Sequence, residues 1–211
     1  MKIALFGASG TIGQRIAQEA LRRGHQVTAI VRDPAGVQIS DPQLTVTQGN
    51  VLDPANVAQV AAGHDVVVSA ISPRGQSLQA VPDAAHSLLD GVKRAGVKRL
   101  VIVGGAGSLE VAPGLRLADT PDFPAAWKGI AQAHHEALDV YRQNSDVDWA
   151  YASPAAFIAP GERTGTYRLG TDQLVTDEKG ESRISAEDFA VALLDEIEQP
   201  RFSRQRFTAA Y

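Results

Sequence analysis

Three glycines near the start of the chain, Gly7, Gly10 and Gly13, have the spacing of a loop that binds phosphate groups. They follow a short apolar run and precede a segment with helical periodicity. In this context the first glycine permits a tight turn, the second lets the backbone approach a pyrophosphate, and the third lets the helix pack on the strand. The alternative interpretation is a glycine-rich turn that binds no ligand. The motif assigns cofactor binding to Gly7, Ser9, Gly10, Thr11, Ile12 and Gly13.

Arg32 lies 19 residues after Gly13, where the chain should leave its second strand. An acidic residue there would bind the ribose hydroxyls of NAD, whereas an arginine would pair with the 2′-phosphate of NADP. Asp33 could itself be the ribose ligand, although Pro34 makes a turn or cap role for Asp33 at least as natural. We therefore expect NADP as the cofactor, with NAD left open.

Short apolar runs alternate with longer helix-period segments over the first three quarters of the chain. Strands are predicted at 3–6, 27–31, 44–47, 66–70, 100–103 and 149–152, and helices at 12–23, 55–62, 78–95 and 125–142. Several of the runs are apolar at nearly every position, as expected for parallel strands covered on both faces. The pattern predicts an α/β fold, a Rossmann-like doubly wound parallel sheet.

The pattern changes after Pro154. Residues 161–182 contain four glycines and few apolar runs, which predicts loops and a short hairpin. Ser185 is the expected N-cap of a last amphipathic helix, with Asp188 completing a capping-box pattern. We expect one NAD(P)-binding domain over residues 1–211, with a Rossmann core over about 1–154 and a small substrate lobe over about 155–211.

Composition excludes several classes of protein. Lys and Arg number 20 against 24 Asp and Glu, a net charge of −4, so no basic surface for a nucleic acid or an anionic membrane is expected. The absence of Cys excludes a disulfide framework, a thiolate nucleophile and a Cys-ligated metal. The apolar run at 3–6 is too short for a signal peptide or a membrane span, so we expect a cytoplasmic protein. The oligomeric state is left open.

Together, the glycine loop, Arg32 and the segment from Gly49 to Asp53 resemble the atypical short-chain dehydrogenase/reductases of the NAD(P)H-binding type. More closely, the chain is similar to bacterial NADH-flavin reductase-like proteins, which are relatives of biliverdin reductase B and of the NmrA-like group. The resemblance continues through the segments at 148–155, 160–165, 180–188 and 206–208, so it spans essentially the whole chain.

This resemblance implies further cofactor contacts. Asp53 would hold the adenine, although Asp53 before Pro54 is also a natural helix N-cap and both roles can hold together. By the same resemblance, Ala70, Ile71 and Ser72 would line the cofactor after the fourth strand, and Ser153 and Pro154 would border the nicotinamide. Apart from the resemblance, the small residues Gly104 and Gly105 after the fifth strand would make room beside the nicotinamide.

A classical short-chain dehydrogenase uses a Tyr acid whose phenol pKa is lowered by a Lys four residues later. No tyrosine of this chain has that partner: Ser145, Ala155 and Thr171 stand four residues after the first three tyrosines. Carbonyl reduction and epimerisation are therefore disfavoured. Hydride transfer from NADPH to a flavin or quinone fits, because the protein need only stack a planar acceptor on the nicotinamide. Flavin would be a substrate here, not a prosthetic group.

Three residues are candidates for the catalytic chemistry. Small residues at 104–107 would let a flat ring approach, and the Ser108 hydroxyl could donate to the acceptor; alternatively Ser108 caps a turn. Lys128 lies near the position of the family's lysine, and His135 shares its helix face as a possible proton donor, or as a solvated histidine. His134 points about 100° away, so the two histidines cannot converge on one metal, and no metal site is expected.

The acceptor pocket should lie beyond the carboxyl ends of the strands. That places the loop at 109–123, together with Phe157 and Tyr167, over the nicotinamide. The partner expected there is a small planar molecule. Two other functions stay open, a non-catalytic NAD(P) sensor of the NmrA-like kind and an epimerase or dehydratase that uses Ser108 and Lys128.

Overall fold

The computed structural model describes residues 1–73 and 77–211. Its strands are β1 (Lys2–Phe6), β2 (Gln26–Val31), β3 (Leu44–Gln48), β4 (Val66–Ser69), β5 (Arg99–Val103), β6 (Glu110–Ala112), β7 (Leu115–Arg116), β8 (Asp148–Pro154), β9 (Phe157–Ala159), β10 (Arg168–Gly170), β11 (Arg183–Ser185) and β12 (Gln205–Ala210). The α-helices are α1 (Thr11–Arg22), α2 (Pro54–Ala61), α3 (Ala80–Ala95), α4 (Ala125–Arg142) and α5 (Ala186–Glu198). Each strand and helix predicted from the sequence is present, with bounds shifted by two residues or fewer.

Eight strands form the central sheet, in the order β10-β12-β8-β5-β4-β1-β2-β3. Neighbouring strands pair in parallel, except that β10 runs antiparallel to β12. The chain proceeds outwards from β1 in one direction and from β4 in the other, so the switch point of this doubly wound sheet lies between β1 and β4. The predicted Rossmann-like α/β fold is confirmed.

The inner strands of the sheet are apolar at successive positions, so both faces of the sheet are apolar and both are covered by helices. Ile3 and Leu5 of β1 pack in the cluster that holds α1 and α5, whereas Ala4 and Phe6 pack in the cluster that holds α2, α3 and α4. Strands buried on both faces lose nearly all their apolar surface to the core, which stabilises the sheet by about 25 cal/mol per Å² removed from water. The result is a three-layer scaffold with rigid strand ends.

The residues after Pro154 are only partly separate from this scaffold. Two small strands, β9 and β11, pair outside the central sheet, but β12 pairs with β8 and β10 pairs with β12 inside it. The division near residue 154 is therefore not a boundary of the fold. Strand β12 lacks a continuous apolar run because the buried Arg206 interrupts it, which hid this strand from the sequence pattern.

Asp188 has a different role from the one its capping-box position predicts. The Ser185 hydroxyl accepts the Asp188 amide at 2.9 Å, so Ser185 is the N-cap of α5 as expected. The buried Asp188 carboxylate instead accepts hydrogen bonds from Thr164 Oγ1 at 2.6 Å, Gly165 N at 2.7 Å and Tyr211 Oη at 2.8 Å. This carboxylate fastens the loop before β10 and the end of the chain to α5.

Candidate active site

The glycine loop turns sharply between β1 and α1 and leaves no space for side chains at two of its glycines. Gly7 has a φ of 85°, and a Cβ there would lie 2.4 Å from the Ala70 carbonyl oxygen. A Cβ on Gly13 would lie 2.1 Å from the Gly7 carbonyl oxygen. Gly10 is the N-cap of α1 and is less confined, with its Cβ position 3.3 Å from Gly7 O. The loop backbone is thus held close against β4 and the first turn of α1.

A cavity of about 100 Å³, here called the cofactor cavity, opens at this loop across the switch point of the sheet. Its walls come from the residues that follow β1, β2, β3 and β4, and from the start of α3. Of the predicted cofactor residues, seven line it: Gly7, Ser9, Gly10, Arg32, Ala70, Ile71 and Ser72. Thr11, Ile12 and Gly13 form the first turn of α1, where helix amides can face phosphate oxygens.

Arg32 and Asp33 are oriented differently after β2. Arg32 is exposed and lines the cofactor cavity, and its carbonyl accepts a hydrogen bond from Gln48 Nε2 at 3.0 Å. The Asp33 carboxylate turns back to accept the amide of Ala35 at 3.0 Å, capping a short 3-10 helix at Pro34–Gly36. Arg32 therefore lines the cavity, whereas the Asp33 side chain caps the short 3-10 helix that follows it.

Asp53 lies outside the lining of the cofactor cavity. Its carboxylate accepts the amides of Ala55 at 2.9 Å and Asn56 at 3.3 Å, which makes it the N-cap of α2. The three preceding residues, Asn50, Val51 and Leu52, line the cavity at this point. The competing helix-cap requirement directs the Asp53 side chain back to its own helix.

A second cavity, of about 400 Å³, lies beyond the carboxyl ends of β5 and β8, and is called the apolar cavity. Apolar and aromatic side chains of α4 and of the loop before it form most of its wall, together with backbone at 105–107 and 154–156. Its side-chain lining includes Leu117, Phe123, Trp127, Ile130, His134 and Ile158. Strands β4 and β5 are neighbours, so a ligand can extend from the cofactor cavity along this edge of the sheet to the apolar cavity.

Several residues expected near the nicotinamide are placed elsewhere. Gly104 accommodates the Tyr151 ring, because a Cβ on Gly104 would lie 1.9 Å from that ring, whereas Gly105 lines the apolar cavity. Ser153 is fully buried within β8, and only Pro154 reaches the cavity wall. Gly104 and Ser153 are thus engaged in packing against neighbouring residues of the fold and do not line the apolar cavity.

Phe157 and Tyr167, which the sequence places over the nicotinamide, both lie outside the lining of the apolar cavity. Phe157 is 63% exposed and lies outside the cavity lining, which Ile158 joins instead. The Tyr167 hydroxyl donates to Asp195 on α5, on the other side of the sheet from α4. Neighbouring residues of a strand point to opposite faces, which explains why Ile158 of β9 lines the cavity and Phe157 does not.

A third cavity, of about 350 Å³, holds all three predicted catalytic residues and is called the polar cavity. Ser108, Lys128 and His135 line it together with Arg116, Asp119 and Gln132. Gly107 and Ala131 line both this cavity and the apolar one, and they pack against each other between the two, since a Cβ on Gly107 would lie 2.5 Å from the Ala131 Cβ. The candidate catalytic residues thus lie beside the apolar cavity and not within it.

Ser108 is held by a buried arginine that the sequence did not single out. Ser108 is 7% exposed, and its Oγ accepts a hydrogen bond from Arg206 Nη1 at 2.9 Å. Arg206 also donates to the Ser108 carbonyl at 3.1 Å and to the carboxylate of Asp172. Burial lowers the pKa of Arg206 from its ordinary value. Because Arg206 is donor only, the Ser108 hydroxyl proton can point to another acceptor.

His134 is the residue of the apolar cavity with acid–base capacity that sequence reasoning set aside. Burial lowers its pKa to about 4, so its imidazole is neutral at pH 7. The Tyr151 hydroxyl donates to the His134 carbonyl at 2.9 Å and lies 3.3 Å from His134 Nδ1. Because folding favours the neutral imidazole, His134 lowers the stability of the fold as pH falls from about 6.5 towards 4.

Tyr151 is not available as the acid that a classical short-chain dehydrogenase would use. It is fully buried in β8, and burial raises its phenol pKa well above the ordinary value. Lys128 lines the polar cavity, and Tyr151 does not. The arrangement matches the sequence, in which no Tyr is followed by Lys four residues later.

Neither a metal cluster nor a membrane helix is found in the part of the chain that the structure describes. Across 1–73 and 77–211, His, Asp and Glu do not gather in groups of three or more that could hold a metal ion. Over the same residues, no helix combines the length and apolarity needed to cross a bilayer.

Residues 7–200 match a protein family described as NAD(P)H-binding. The chain belongs to this family. The matched region includes the glycine loop, the whole of α5 and, apart from Phe6, every residue that lines the three cavities. The geometry fits such a cofactor, because Gly7 and Gly13 leave a bare backbone at the start of α1 where a pyrophosphate can approach.

Solved structures of the NAD(P)H-binding family's fold cover the whole chain and carry different names. A protein from Burkholderia pseudomallei, provisionally named an exported protein, is 53% identical with a TM-score of 0.92, and both chains are covered in full. A protein from Bacteroides thetaiotaomicron, provisionally named an epimerase, is 42% identical with a TM-score of 0.93, covering 100% of this chain and 96% of that one. A protein from Streptococcus pneumoniae, provisionally named an NADH-flavin reductase, is 34% identical with a TM-score of 0.86, covering 100% and 99%.

Proposed function

We propose that this protein is an NAD(P)H-dependent reductase that transfers hydride from NADPH to a planar acceptor such as a flavin or a quinone. The observation that carries the proposal is the apolar cavity, which lies one strand along the sheet edge from the cofactor cavity and has an aromatic and aliphatic wall. Planar aromatic acceptors gain from such walls by stacking and by losing contact with water. The name of the Streptococcus pneumoniae relative agrees with this choice.

The residues of the cofactor cavity would bind NADPH and orient it. NADPH supplies the hydride when it is bound. Amides of the first turn of α1 would contact the pyrophosphate, and the bare backbone at Gly7 and Gly10 would let it approach. Ala70 to Ser72, which also line the cofactor cavity, would pass along the cofactor towards β5.

NADP is favoured over NAD by the contrast between Arg32 and Asp33. The arginine lines the cofactor cavity, where a guanidinium can pair with a 2′-phosphate. The aspartate is engaged by the amide of Ala35, so it is turned away from a ribose in that cavity. Both residues thus support the NADP alternative.

The acceptor side would bind a flat ring and shield it from water. Phe123, Trp127 and Ile130 provide apolar contacts, and the neutral His134 offers a ring nitrogen for a hydrogen bond without adding a charge. A flavin can take its second proton from solvent, so the missing Tyr acid is no obstacle to this reaction.

A steady-state assay tests the proposal directly. NADPH oxidation would be followed with riboflavin, FMN and simple quinones as acceptors, and NADH would replace NADPH in a parallel series. We expect turnover with at least one planar acceptor and preference for NADPH. Tight NADPH binding with no turnover on any of these acceptors would overturn the proposal and favour a nucleotide sensor.

An epimerase-like reaction is the second candidate, because Ser108, Lys128 and His135 converge on one polar cavity. The name of the Bacteroides thetaiotaomicron relative points in that direction. Such a reaction would need Lys128 for turnover itself. Loss of kcat in the Lys128→Ala variant on a sugar nucleotide, with no flavin reduction by the unaltered protein, would favour this candidate.

A cytoplasmic location follows from the proposed use of NADPH and stays a proposal. The Burkholderia pseudomallei relative carries the name of an exported protein, which is the competing expectation. Fractionation of cells that express the full chain decides between the two.

A further inference from the structure

The imidazole of His134 is held at two edges and lines the apolar cavity. Gly105 packs at one edge, since a Cβ on Gly105 would lie 3.2 Å from His134 Cγ and 3.3 Å from Cδ2. At the opposite edge, Nδ1 lies 3.3 Å from the hydroxyl oxygen of Tyr151. The ring orientation is therefore fixed by the fold before any ligand binds.

Tyr151 is a rigid neighbour for this histidine. It is buried in β8, and its ring fills the space that a side chain at position 104 would take, because a Cβ on Gly104 would lie 1.9 Å from that ring. The ring of Tyr141 packs against it, with 5.9 Å between the ring centroids. Burial raises the pKa of the Tyr151 phenol, so the hydroxyl keeps its proton at neutral pH.

The single proton of the Tyr151 hydroxyl determines which nitrogen of His134 carries a hydrogen. A phenol has one proton to donate, and Tyr151 donates it to the His134 carbonyl oxygen at 2.9 Å. The hydroxyl oxygen therefore meets Nδ1 with a lone pair. A protonated Nδ1 can donate to that oxygen, whereas a bare Nδ1 would place two lone pairs 3.3 Å apart, where they repel. The neutral ring then carries its proton on Nδ1 and has a bare Nε2.

Nε2 of His134 is the polar atom of the ring that remains open. It makes no hydrogen bond to any residue in the ranges 1–73 and 77–211, and it is not among the polar atoms that the fold shuts away from solvent. The side chains beside His134 in the cavity wall include Trp127 and Ile130, which are apolar or aromatic. A bare acceptor in such a wall favours a ligand that brings an N–H or O–H group to it.

We propose that His134 determines which acceptor binds, because its Nε2 accepts a hydrogen bond from an N–H group at the edge of a planar ring. The preferred substrate class is then a flavin, whose imide N–H is free, over a simple quinone. The carbonyl oxygens of a simple quinone are themselves acceptors and cannot form a hydrogen bond with a bare nitrogen. This inference rests on the proposed hydride transfer to a planar acceptor and names the substrate class of that site. Tyr151 is a positioning residue, which fixes the nitrogen that is bare.

Nitrogen-15 NMR of the imidazole rings tests the inference without depending on turnover. Two-bond proton–nitrogen correlation at pH 7 distinguishes the two neutral tautomers, and the signals that disappear in His134→Leu belong to this residue. We expect the Nδ1–H tautomer in the unaltered protein. An Nε2–H tautomer would overturn the proposal.

Ligand additions to the same labelled protein identify the donor that Nε2 meets. We expect the Nε2 signal to move when riboflavin is added to the NADP⁺-saturated protein. A signal that moves with NADP⁺ alone and no further with riboflavin would assign the nitrogen to the cofactor and overturn the proposal.

Two tyrosine variants test the positioning role. Tyr151→Phe keeps the ring and removes the hydroxyl, so the Nε2–H tautomer of His134 should gain population. Tyr141→Phe is the matched control, since it removes a hydroxyl from a neighbouring buried ring that makes no hydrogen bond to His134. The control should leave the tautomer unchanged. An unchanged tautomer in a folded Tyr151→Phe protein would contradict the role of Tyr151.

Flavin binding to the NADP⁺-saturated protein measures the specificity. Quenching of flavin fluorescence gives the dissociation constants of riboflavin and of its N3-methyl derivative, which lacks the imide N–H. We expect riboflavin to bind about tenfold more tightly, and the ratio to fall close to one in His134→Leu. Equal affinities in the unaltered protein would overturn the proposal. A ratio that persists in His134→Leu would also overturn it, because the methyl group would then act by its size alone.

The same preparations separate this inference from the proposed function. NADPH oxidation with riboflavin and its N3-methyl derivative, at equal affinity for the two, would leave the reductase standing and remove the role of His134. A preference for riboflavin in binding that depends on His134, with no oxidation of NADPH by any flavin or quinone, would leave the role of His134 and contradict the reductase.

Discussion

The cofactor cavity and the apolar cavity are built from different parts of the polypeptide. The first is built around short strand exits that are close together in sequence, with a turn at Gly7 that presses on Ala70 and side chains such as Ile30 completing the wall. The second is formed by side chains from the loop after β5, helix α4 and the segment after β8, which are distant in sequence. A substitution at a glycine of the cofactor cavity displaces the backbone itself. A substitution in the wall of the apolar cavity changes only one side chain, so it can change which ligand fits.

The largest effect should come from removing a glycine of the loop. Gly13→Ala places a Cβ about 2.1 Å from the Gly7 carbonyl oxygen, so the loop must move away from its phosphate-binding geometry. We expect the affinity for NADPH to fall about 100-fold, as measured by calorimetry. Gly24→Ala is the control: Gly24 has a positive φ, of 80°, and lies just after α1, away from the cavity. It should lose stability by about 1 kcal/mol and retain NADPH affinity.

A replacement at Arg32 should discriminate between the two cofactors. Arg32→Asp removes a charge-assisted hydrogen bond to the 2′-phosphate, so NADPH affinity should fall about 30-fold. NADH affinity should stay the same or rise, because an acidic residue at this position can bind the ribose hydroxyls. An unchanged ratio of NADPH to NADH affinity would show that Arg32 does not recognise the 2′-phosphate.

On the acceptor side, Trp127→Ala should weaken riboflavin binding about tenfold while NADPH binding stays the same. Trp127 is 55% exposed at the rim of the apolar cavity, so its removal costs little stability. Phe157→Ala is the matched control, because Phe157 is exposed to a similar degree and lies outside the cavity lining. If both variants weaken riboflavin binding equally, the acceptor site is not where we place it.

The smallest effect concerns pH. His134 has a pKa of about 4, so it stays neutral through the neutral range and riboflavin affinity should vary by less than about twofold between pH 8 and pH 6. Fluorescence titration over that range measures it. A tenfold loss of affinity centred near pH 6.5 would show that His134 is not shielded from water as the structure indicates.

The sequence located the turn of the glycine loop and the start of α1 because their determinants are local. A turn, a bare backbone and a helix start occupy consecutive residues, so the spacing of Gly7, Gly10 and Gly13 was enough to locate them. Asp53 shows the limit of local prediction. Its position fitted both an adenine contact and a helix N-cap, and the hydrogen bonds of its carboxylate are those of the N-cap.

The acceptor side could not be predicted to the same degree because it depends on long-range packing. Ser108 is oriented by Arg206, which is separated from it by almost half the chain and sits in a strand without an apolar run. His134 and His135 differ in role only because α4 divides two cavities between its faces. A helical pattern indicates which residues share a face but not which cavity that face meets.

Isotopic labelling of NADPH tests most directly the claim that hydride passes from the cofactor cavity to a planar acceptor in the apolar cavity. NADPH carrying deuterium on one or the other face of the nicotinamide would be oxidised with FMN or riboflavin. The account predicts that the nicotinamide presents a single face to the acceptor, so the oxidised cofactor loses deuterium from one labelled form and retains it from the other. Loss from both forms in equal measure, or no NADPH oxidation with either flavin, would contradict it.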